Sequence, residues 1–178
     1  MSARRNTLLA LLALAAFVFA GASAAQEPAE PVRAEAAIDF PGFLGLSQEV
    51  MALREERLVS LADFNTMAAE PGTIILDTRS AEAFAAGHIS GAVHLNFSDF
   101  TDEKLARVIG AKDTRILIYC NNNFADNIAP VVLKRVELAL NIPTFVNLHG
   151  YGYTNVYELA ELVSIDDPAV NWTRDSGA

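Results

Sequence analysis

The chain has 178 residues, 52% of them hydrophobic, and its formal net charge at pH 7 is −9. This length is enough for one domain with an apolar core. The negative charge argues against nucleic acid and anionic lipid surfaces as partners, although local backbone dipoles can still hold a small anion.

Residues 1–25 have the features of a secretory signal peptide. Arg4 and Arg5 precede an apolar run, and small residues ending at Ala25 follow it, which is the order that export signals have. The apolar run is shorter than the roughly 20 residues that a membrane-spanning helix usually needs. We therefore expect a bacterial protein that is periplasmic or secreted and has no membrane contact after cleavage, which would change the formal charge from −9 to −11 by removing two arginines. An uncleaved anchor is the alternative, and the export route stays open between the general and twin-arginine pathways.

Residues 26–57 are expected to form a disordered leader and an N-terminal extension. The leader is rich in Pro, Ala and Glu, a composition that favours disorder. The extension contains apolar residues and a short predicted helix after Ser47. We assign residues 58–165 to a single domain and residues 166–178 to a C-terminal tail.

Helical and strand-like segments alternate along the domain. Ser60, Ser80 and Thr101 are predicted helix caps, and Gly87 and Gly110 are predicted helix ends. The predicted helices are residues 60–70, 80–87, 101–110, 128–140 and 154–163, and the predicted strands are residues 73–77, 92–95, 115–120 and 144–148. Short, continuously apolar strands alternating with helices predict an α/β fold whose parallel sheet is covered on both faces.

Cys120 is the single cysteine of the chain and ends the apolar strand at 115–120. Open parallel sheets bind ligands beyond the carboxyl ends of their strands. Exported proteins usually pair their cysteines in disulfides, so an unpaired thiol at this position needs an explanation. It is either a buried packing residue or a thiol retained for chemistry.

The segment after Cys120 is predicted to form an anion-binding loop. It consists of Asn121, Asn122, Asn123, Phe124, Ala125 and Asp126. Inward-pointing backbone N–H groups, aided by the dipole of the predicted following helix, would stabilise a thiolate and lower its pKa. The asparagines tolerate left-handed backbone conformations and add amide donors. Phe124 would either shield the sulfur or anchor the loop. The alternative is an ordinary strand-to-helix joint in which Asp126 or Asn127 caps the helix.

Three segments together resemble the rhodanese-like domain family over about residues 59–162. They are ILDTRSAEAFAAGHISGAVHL, ILIYC and VNLHGYGY, the last standing where the family often has a Gly-Gly turn. In the first segment the residues that carry the family's order and spacing are Asp77, Arg79, Phe84, Gly87, His88, Ile89, Gly91 and Ala92.

This resemblance implies a three-layer α/β/α fold with a central parallel sheet of about five strands. It also implies a cysteine, at the position of Cys120, that takes a sulfane sulfur from a small sulfur-containing donor as a persulfide. The sulfur then passes to a thiophilic acceptor, and no cofactor takes part.

The loop departs from the family pattern in its charge. Family members often carry Arg at the fifth or sixth position after the cysteine, where this chain has Ala125 and Asp126. An inward-facing Asp126 carboxylate would repel thiosulfate by about 1 kcal/mol in water and about 4 kcal/mol at an effective dielectric constant near 20. Arg79 is the cation nominated by family placement. Asp77 is expected to organise the strand end with Arg79, and His88 to bond backbone nearby.

Two hypotheses follow from these residues. The first is an exported sulfurtransferase with Cys120 as the nucleophile. The second is a rhodanese-fold sulfur carrier or protein-binding module with little turnover, which meets a protein partner through its N-terminal extension. The missing arginine weakens phosphatase and arsenate-reductase interpretations. No metal site is predicted, because the histidines lack the paired spacing of zinc ligands.

Overall fold

The computed structural model of the protein describes residues 36–174. The predicted signal peptide and most of the predicted leader lie outside the described residues, as do the last four residues of the tail. Within residues 36–174, no helix combines the length and the apolar character needed to cross a membrane.

A central sheet of five parallel strands organises the chain, as predicted. The strands are β1 Leu58–Val59, β2 Ile74–Asp77, β3 His88–Ile89, β4 Val93–His94, β5 Ile116–Tyr119, β6 Val156–Leu159 and β7 Trp172–Thr173. The strand order of the central sheet is β1-β6-β5-β2-β4, and a separate antiparallel pair joins β3 to β7. The helices are α1 Phe40–Glu55, α2 Leu61–Ala68, α3 Ala81–Ala86, α4 Asp102–Ile109 and α5 Asn141–Gly150.

The side chains of β5 alternate between two apolar cores. Ile116 and Ile118 belong to the core that contains residues of α1, α4 and α5, whereas Leu117 and Tyr119 belong to the core that contains residues of α2. Successive residues of a strand point to opposite faces of the sheet. The sheet is therefore covered on both faces, which gives the predicted α/β/α layers.

Helix caps define the first half of the domain as predicted. The side-chain oxygens of Ser60, Ser80 and Thr101 each accept a hydrogen bond from the backbone N–H three residues later. These bonds satisfy donors that the first turn of a helix leaves free. Gly87 and Gly110 follow the last residues of α3 and α4, and Gly110 has φ +88°, a conformation that favours glycine.

The predicted helix at residues 128–140 is wrong. This segment is irregular apart from the single 3₁₀ turn Val136–Leu138. The side chains of Asn121 and Asn122 bond the backbone of Val132 and Lys134, and asparagine side chains that bond backbone groups compete with helical hydrogen bonds. The segment is thus a long loop tied to the residues that follow Cys120.

The last two predicted elements have their types exchanged. The predicted strand at residues 144–148 lies within α5, and the predicted helix at residues 154–163 contains β6. Pro143 is tolerated in α5 because it stands in the first turn, where the backbone N–H is free. β6 pairs with β5 on one edge and β1 on the other, so sheet pairing overrides its helical pattern.

The N-terminal extension forms a longer helix than predicted. α1 begins at Phe40 rather than after Ser47, and the Asp39 carboxylate accepts a hydrogen bond from Gly42 N at 2.8 Å. Val50 is buried in the core shared with α4 and α5. The extension therefore packs on the domain, and the beginning of the predicted tail does as well, since β7 pairs with β3.

Candidate active site

Cys120 directly follows β5, which lies between β6 and β2 in the sheet. Its thiol is therefore at the carboxyl end of a central strand, as the sequence predicts. The residue is only 2% exposed, but it lines two cavities, one of about 720 Å³ and one of about 230 Å³. Asn122 lines both cavities as well.

The Cys120 thiol does not have the lowered pKa that was predicted, although the backbone N–H of Asn122 in the loop does act in that direction. Burial raises this pKa, because removing the thiolate from water is unfavourable. The backbone N–H groups of Asn141, Asn122 and Leu140 lower the pKa, and the negative charge of Glu158 raises it further. Hydrogen bonding therefore offsets the effect of burial only in part, and the neutral thiol is favoured at pH 7.

The helix that contributes to the thiol environment is not the one expected. No helix directly follows the loop, and Asn121–Asn123 form only a single 3₁₀ turn. The backbone N–H groups of Leu140 and Asn141 come instead from the beginning of α5. The long irregular loop thus returns the chain to the cysteine before α5 begins.

Asn121 and Asn122 fasten this long loop rather than pointing their amides at an anion. Asn122 Nδ2 donates to Lys134 O at 2.8 Å, and Lys134 N donates to Asn122 Oδ1 at 3.1 Å. Asn121 Nδ2 donates to Val132 O at 3.0 Å. These bonds hold residues 132–134 beside the larger cavity, which Val132 and Lys134 line.

Asn123 fixes the backbone around the cysteine. Its Oδ1 accepts hydrogen bonds from Cys120 N at 2.9 Å and from Asn141 Nδ2 at 3.1 Å. Its Nδ2 donates to Leu159 O at 2.7 Å. A single buried amide thus connects the end of β5, the beginning of α5 and the end of β6.

Phe124 and Ala125 lead the chain away from the thiol. Phe124 is fully buried, with ring centroids 5.9 Å from Tyr119 and 5.0 Å from Trp172 in edge-on arrangements. Ala125 N donates to Val163 O at 2.8 Å. Neither residue lines the two cavities, so Phe124 anchors the loop rather than shielding the sulfur.

Asp126 is turned away from the cavities and caps no helix. Its carboxylate accepts hydrogen bonds from Ile165 N at 2.9 Å and from Ser164 Oγ at 2.8 Å. These bonds hold the pKa of Asp126 below its usual value, and the bond from Ile165 N has the larger effect. The repulsion of thiosulfate considered for an inward-facing carboxylate therefore does not arise.

Asp77 and Arg79 form the predicted buried pair at the end of β2. Arg79 Nη2 donates to Asp77 Oδ2 at 2.6 Å and to Gly87 O at 2.7 Å, and Tyr119 Oη donates to Asp77 Oδ2 at 2.6 Å. Among the described residues, Arg79 Nη1 is buried without a hydrogen-bond partner. Arg79 also lines the larger cavity, so most but not all of its donors are occupied.

His88 and His94 serve the fold. His88 Nδ1 lies 2.9 Å from Phe84 O, and the two rings stack with centroids 3.9 Å apart, which agrees with a backbone-bonding role. His94 Nε2 lies 2.8 Å from Arg79 O. Residues 36–174 contain no group of three or more His, Cys, Asp or Glu side chains that could hold a metal ion.

Two cations that line the larger cavity, Lys134 and Arg135, were not predicted as site residues. Their signal in the sequence is the adjacent Lys-Arg pair, but the predicted helix at 128–140 gave no reason to place them near Cys120. The loop connections of Asn121 and Asn122 bring them there. Positive charge near the cysteine thus comes from outside the segment that follows it directly.

Glu158 and Arg54 were missed as well. Both line the smaller cavity together with Cys120. Arg54 Nε and Nη2 each donate to a Glu158 oxygen at 2.6 Å, and Asn141 Nδ2 donates to Glu158 Oε1 at 3.2 Å. The available signal is an acidic residue inside an apolar strand, which rarely stays buried without a partner.

Three solved structures are similar to parts of this chain. The crystal structure of the Alr3790 protein from Anabaena sp. is 20% identical, with 57% of this chain and 68% of that chain covered at a TM-score of 0.42. The crystal structure of the BH2092 protein from Bacillus halodurans is 20% identical, with 66% of this chain and 76% of that chain covered at a TM-score of 0.41. The Rhodanese_3 like domain of the Anabaena sp. Alr3790 protein is 19% identical, with 60% of this chain and 96% of that chain covered at a TM-score of 0.41.

None of the curated proteins compared with the chain matches it. The family model described as the rhodanese-like domain matches residues 60–161. That range is more than half of the 178 residues and includes β2, Cys120 and β6. The chain therefore belongs to the rhodanese-like domain family.

Proposed function

We propose that this protein is a sulfurtransferase that carries sulfane sulfur on Cys120 as a persulfide. The observation that carries the proposal is a thiol at the carboxyl end of the central strand that lines a cavity of about 720 Å³ and has backbone N–H groups near enough to lower its pKa. A cysteine that only fills space in the core needs neither a cavity beside its thiol nor backbone N–H groups that stabilise its thiolate. Family membership supports the same chemistry.

The proposed reaction has two displacement steps. The Cys120 thiolate attacks the sulfane sulfur of the donor, an S–S bond forms at Sγ, and the bond to the rest of the donor breaks. The electron pair leaves with the donor remnant, which is sulfite when the donor is thiosulfate. A thiophilic acceptor such as cyanide then attacks the outer sulfur, and Cys120 departs as a thiolate. The two steps together need no external oxidant or reductant.

Charges around the larger cavity suit an anionic donor. Lys134 and Arg135 line it, and Arg79 contributes a further guanidinium group. These groups replace the arginine that other family members often carry in the loop. Because the neutral thiol is favoured at pH 7, the backbone N–H groups of Asn141, Asn122 and Leu140 have the role of stabilising the thiolate as it forms.

A second candidate function is a carrier or protein-binding module with little turnover. The observation that favours it is the exposure of large apolar side chains in the long loop next to the cavity. Ile128 is 57% exposed, Val136 is 74% and Leu138 is 69%. Exposed apolar groups in one segment are typical of surfaces that meet a protein partner.

Intact mass spectrometry distinguishes these functions. We expect the purified protein to gain one sulfur atom from thiosulfate, mercaptopyruvate or polysulfide, and to lose it on addition of cyanide. The matched variant Cys120→Ser should gain none. If no donor gives an adduct on the wild-type protein, the enzyme proposal fails and the binding module is favoured.

In the same assay, Lys134→Gln should slow the reaction with thiosulfate by about tenfold, because a cation near a bound dianion contributes on the order of 1 kcal/mol or more. Its neutral side chain can no longer attract the donor, while the backbone bonds to Asn122 remain. The control Lys104→Gln removes a surface charge that pairs with Asp99 and should leave the rate unchanged. Equal rates for the two variants would remove Lys134 from the donor site.

We also propose that the protein is exported to the periplasm or secreted. The support is the order of charged, apolar and small residues at 1–25. N-terminal sequencing of the protein recovered from a periplasmic fraction should begin at Gln26. Recovery of the full-length chain in the cytoplasm would contradict this proposal.

A further inference from the structure

Arg54 stands in the last turn of α1, before the residues that match the family. Its guanidinium makes a two-bond ion pair with Glu158, with Nε–Oε2 and Nη2–Oε1 both at 2.6 Å. The side chain of Glu158 is 7% exposed and that of Arg54 is 34% exposed. A carboxylate this deeply buried needs a partner, because an unpaired buried charge is strongly unfavourable.

The ion pair borders the thiol. Arg54, Glu158 and Cys120 all line the cavity of about 230 Å³. Asn141 lies between them, since its side-chain Nδ2 donates to Glu158 Oε1 at 3.2 Å and its backbone N–H lowers the pKa of the thiol. The three groups are close enough to interact. The negative charge of Glu158 raises the pKa of Cys120. The pKa of Arg54 is raised mainly by Glu158 and to a smaller extent by Cys120.

We propose that Arg54 is a positioning residue that controls the reactivity of Cys120 through Glu158. By holding both oxygens of the carboxylate, the guanidinium offsets part of the negative charge that repels a thiolate or a persulfide anion on Cys120. The N-terminal helix thereby completes the surroundings of the cysteine. The consequence for sulfur transfer rests on the proposed function, whereas the effect on the thiol itself does not.

Other charges near the thiol do not replace this pair. In the part of the chain that the structure describes, Glu158 is the only acidic side chain that lines either cavity. The remaining charged groups of the two cavities are Arg79, Lys134 and Arg135, all in the larger one. These three groups stay unchanged in variants of Arg54 and Glu158, so they affect the pKa of Cys120 equally in all of those variants.

The test is the pH dependence of Cys120 alkylation by iodoacetamide, followed by intact mass on the full chain. Arg54→Gln should raise the midpoint of the profile by about one pH unit, which is about tenfold less thiolate at neutral pH. Glu158→Gln should lower the midpoint below that of the wild type. In the Glu158→Gln background, adding Arg54→Gln should raise the midpoint by clearly less than it does in the wild type, because the carboxylate is gone and only the weaker direct interaction between Arg54 and Cys120 remains.

Arg57→Gln is the matched control. It removes the same charge three residues later, from a side chain that lies 3.4 Å from Asn155 Oδ1 and over the Tyr157 ring. Its alkylation midpoint should equal that of the wild type. A merely structural role for Arg54 would change the denaturation midpoint without moving the alkylation profile. Folded Arg54→Gln with the wild-type profile would therefore overturn the proposal.

Arg54→Lys and Glu158→Gln keep the test decisive if Arg54→Gln does not fold. Arg54→Lys retains the charge but not the two-bond geometry, and it should give an intermediate midpoint. An unchanged midpoint in Glu158→Gln would also overturn the proposal. Alkylation needs no sulfur donor, so a protein that shows these shifts but forms no sulfur adduct would support the role of Arg54 while refuting sulfur transfer.

Discussion

Asp77→Asn is expected to lower the free energy of unfolding by about 3–5 kcal/mol, the usual effect of removing one partner from a buried ion pair. The carboxylate is fully buried and accepts hydrogen bonds from Arg79 and Tyr119. Asn has the same shape but no charge, so the Arg79 guanidinium would remain in the interior without a counter-ion. Chemical denaturation followed by circular dichroism measures the difference.

The hydroxyl of Tyr119 adds to this effect. Burial raises the pKa of Tyr119 well above its usual value, so the hydroxyl stays protonated and donates to Asp77 Oδ2. In the variant only one side-chain oxygen remains. At the position of Oδ2 it could still accept from Tyr119 and Arg79 Nη2, but the backbone N–H of Arg79, which donates to Oδ1 at 3.0 Å, would lose its acceptor; at the position of Oδ1 the Tyr119 hydroxyl would lose its acceptor instead. One buried donor would then be left without a partner, which is unfavourable by about 1–3 kcal/mol in typical cases.

Glu103→Gln is the control for Asp77→Asn. It also removes a carboxylate from an ion pair with arginine, but the side chains of Glu103 and Arg107 are 82% and 69% exposed. Exposed pairs four residues apart in a helix contribute about 0.3–0.5 kcal/mol. If the two variants lose the same stability, burial does not give the Asp77 pair its strength.

Phe124→Ala is expected to lower the free energy of unfolding by about 3–5 kcal/mol, as large-to-small changes at a fully buried Phe do. The ring is fully buried and touches the rings of Tyr119 and Trp172 edge-on. Its removal leaves a cavity beneath the turn that follows Cys120. Thermal and chemical denaturation should both report the loss.

Phe43→Ala is the matched control for this change. Phe43 lies in α1 and is 42% exposed, so its truncation should lower stability by less than about 1 kcal/mol. Phe124→Leu keeps most of the buried volume and should fall between the two. Equal losses at Phe124 and Phe43 would mean that Phe124 does not anchor the loop.

The elements predicted correctly from the sequence are those with explicit start and stop signals. Ser60, Ser80 and Thr101 cap α2, α3 and α4 with their side chains. Gly87 and Gly110 mark two helix ends. These signals act within a few residues, so a local pattern contains all the information that determines them.

The elements predicted wrongly depend on distant residues. The β6 segment becomes a strand because β5 and β1 supply partners on both edges. The segment 128–140 is irregular because Asn121, Asn122 and Asn127 bond its backbone. No pattern inside either segment records those partners.

The site divides in the same way. The position of Cys120 at the end of a central strand follows from the apolar run before it. The direction of its pKa shift does not, because that depends on burial and on Asn141 and Glu158, which belong to later elements. The orientation of Asp126 cannot be predicted from that run either, because it depends on hydrogen bonds from Ser164 and Ile165.

The attachment of α1 bears on where the smallest independently stable fragment of this protein can begin. A fragment cut at the first residue of the family match, Ser60, would lose Val50 from the core and Arg54 from Glu158. It would also lose β1, an edge strand of the sheet. We therefore expect a stable fragment to begin before the family boundary and to include α1 and β1.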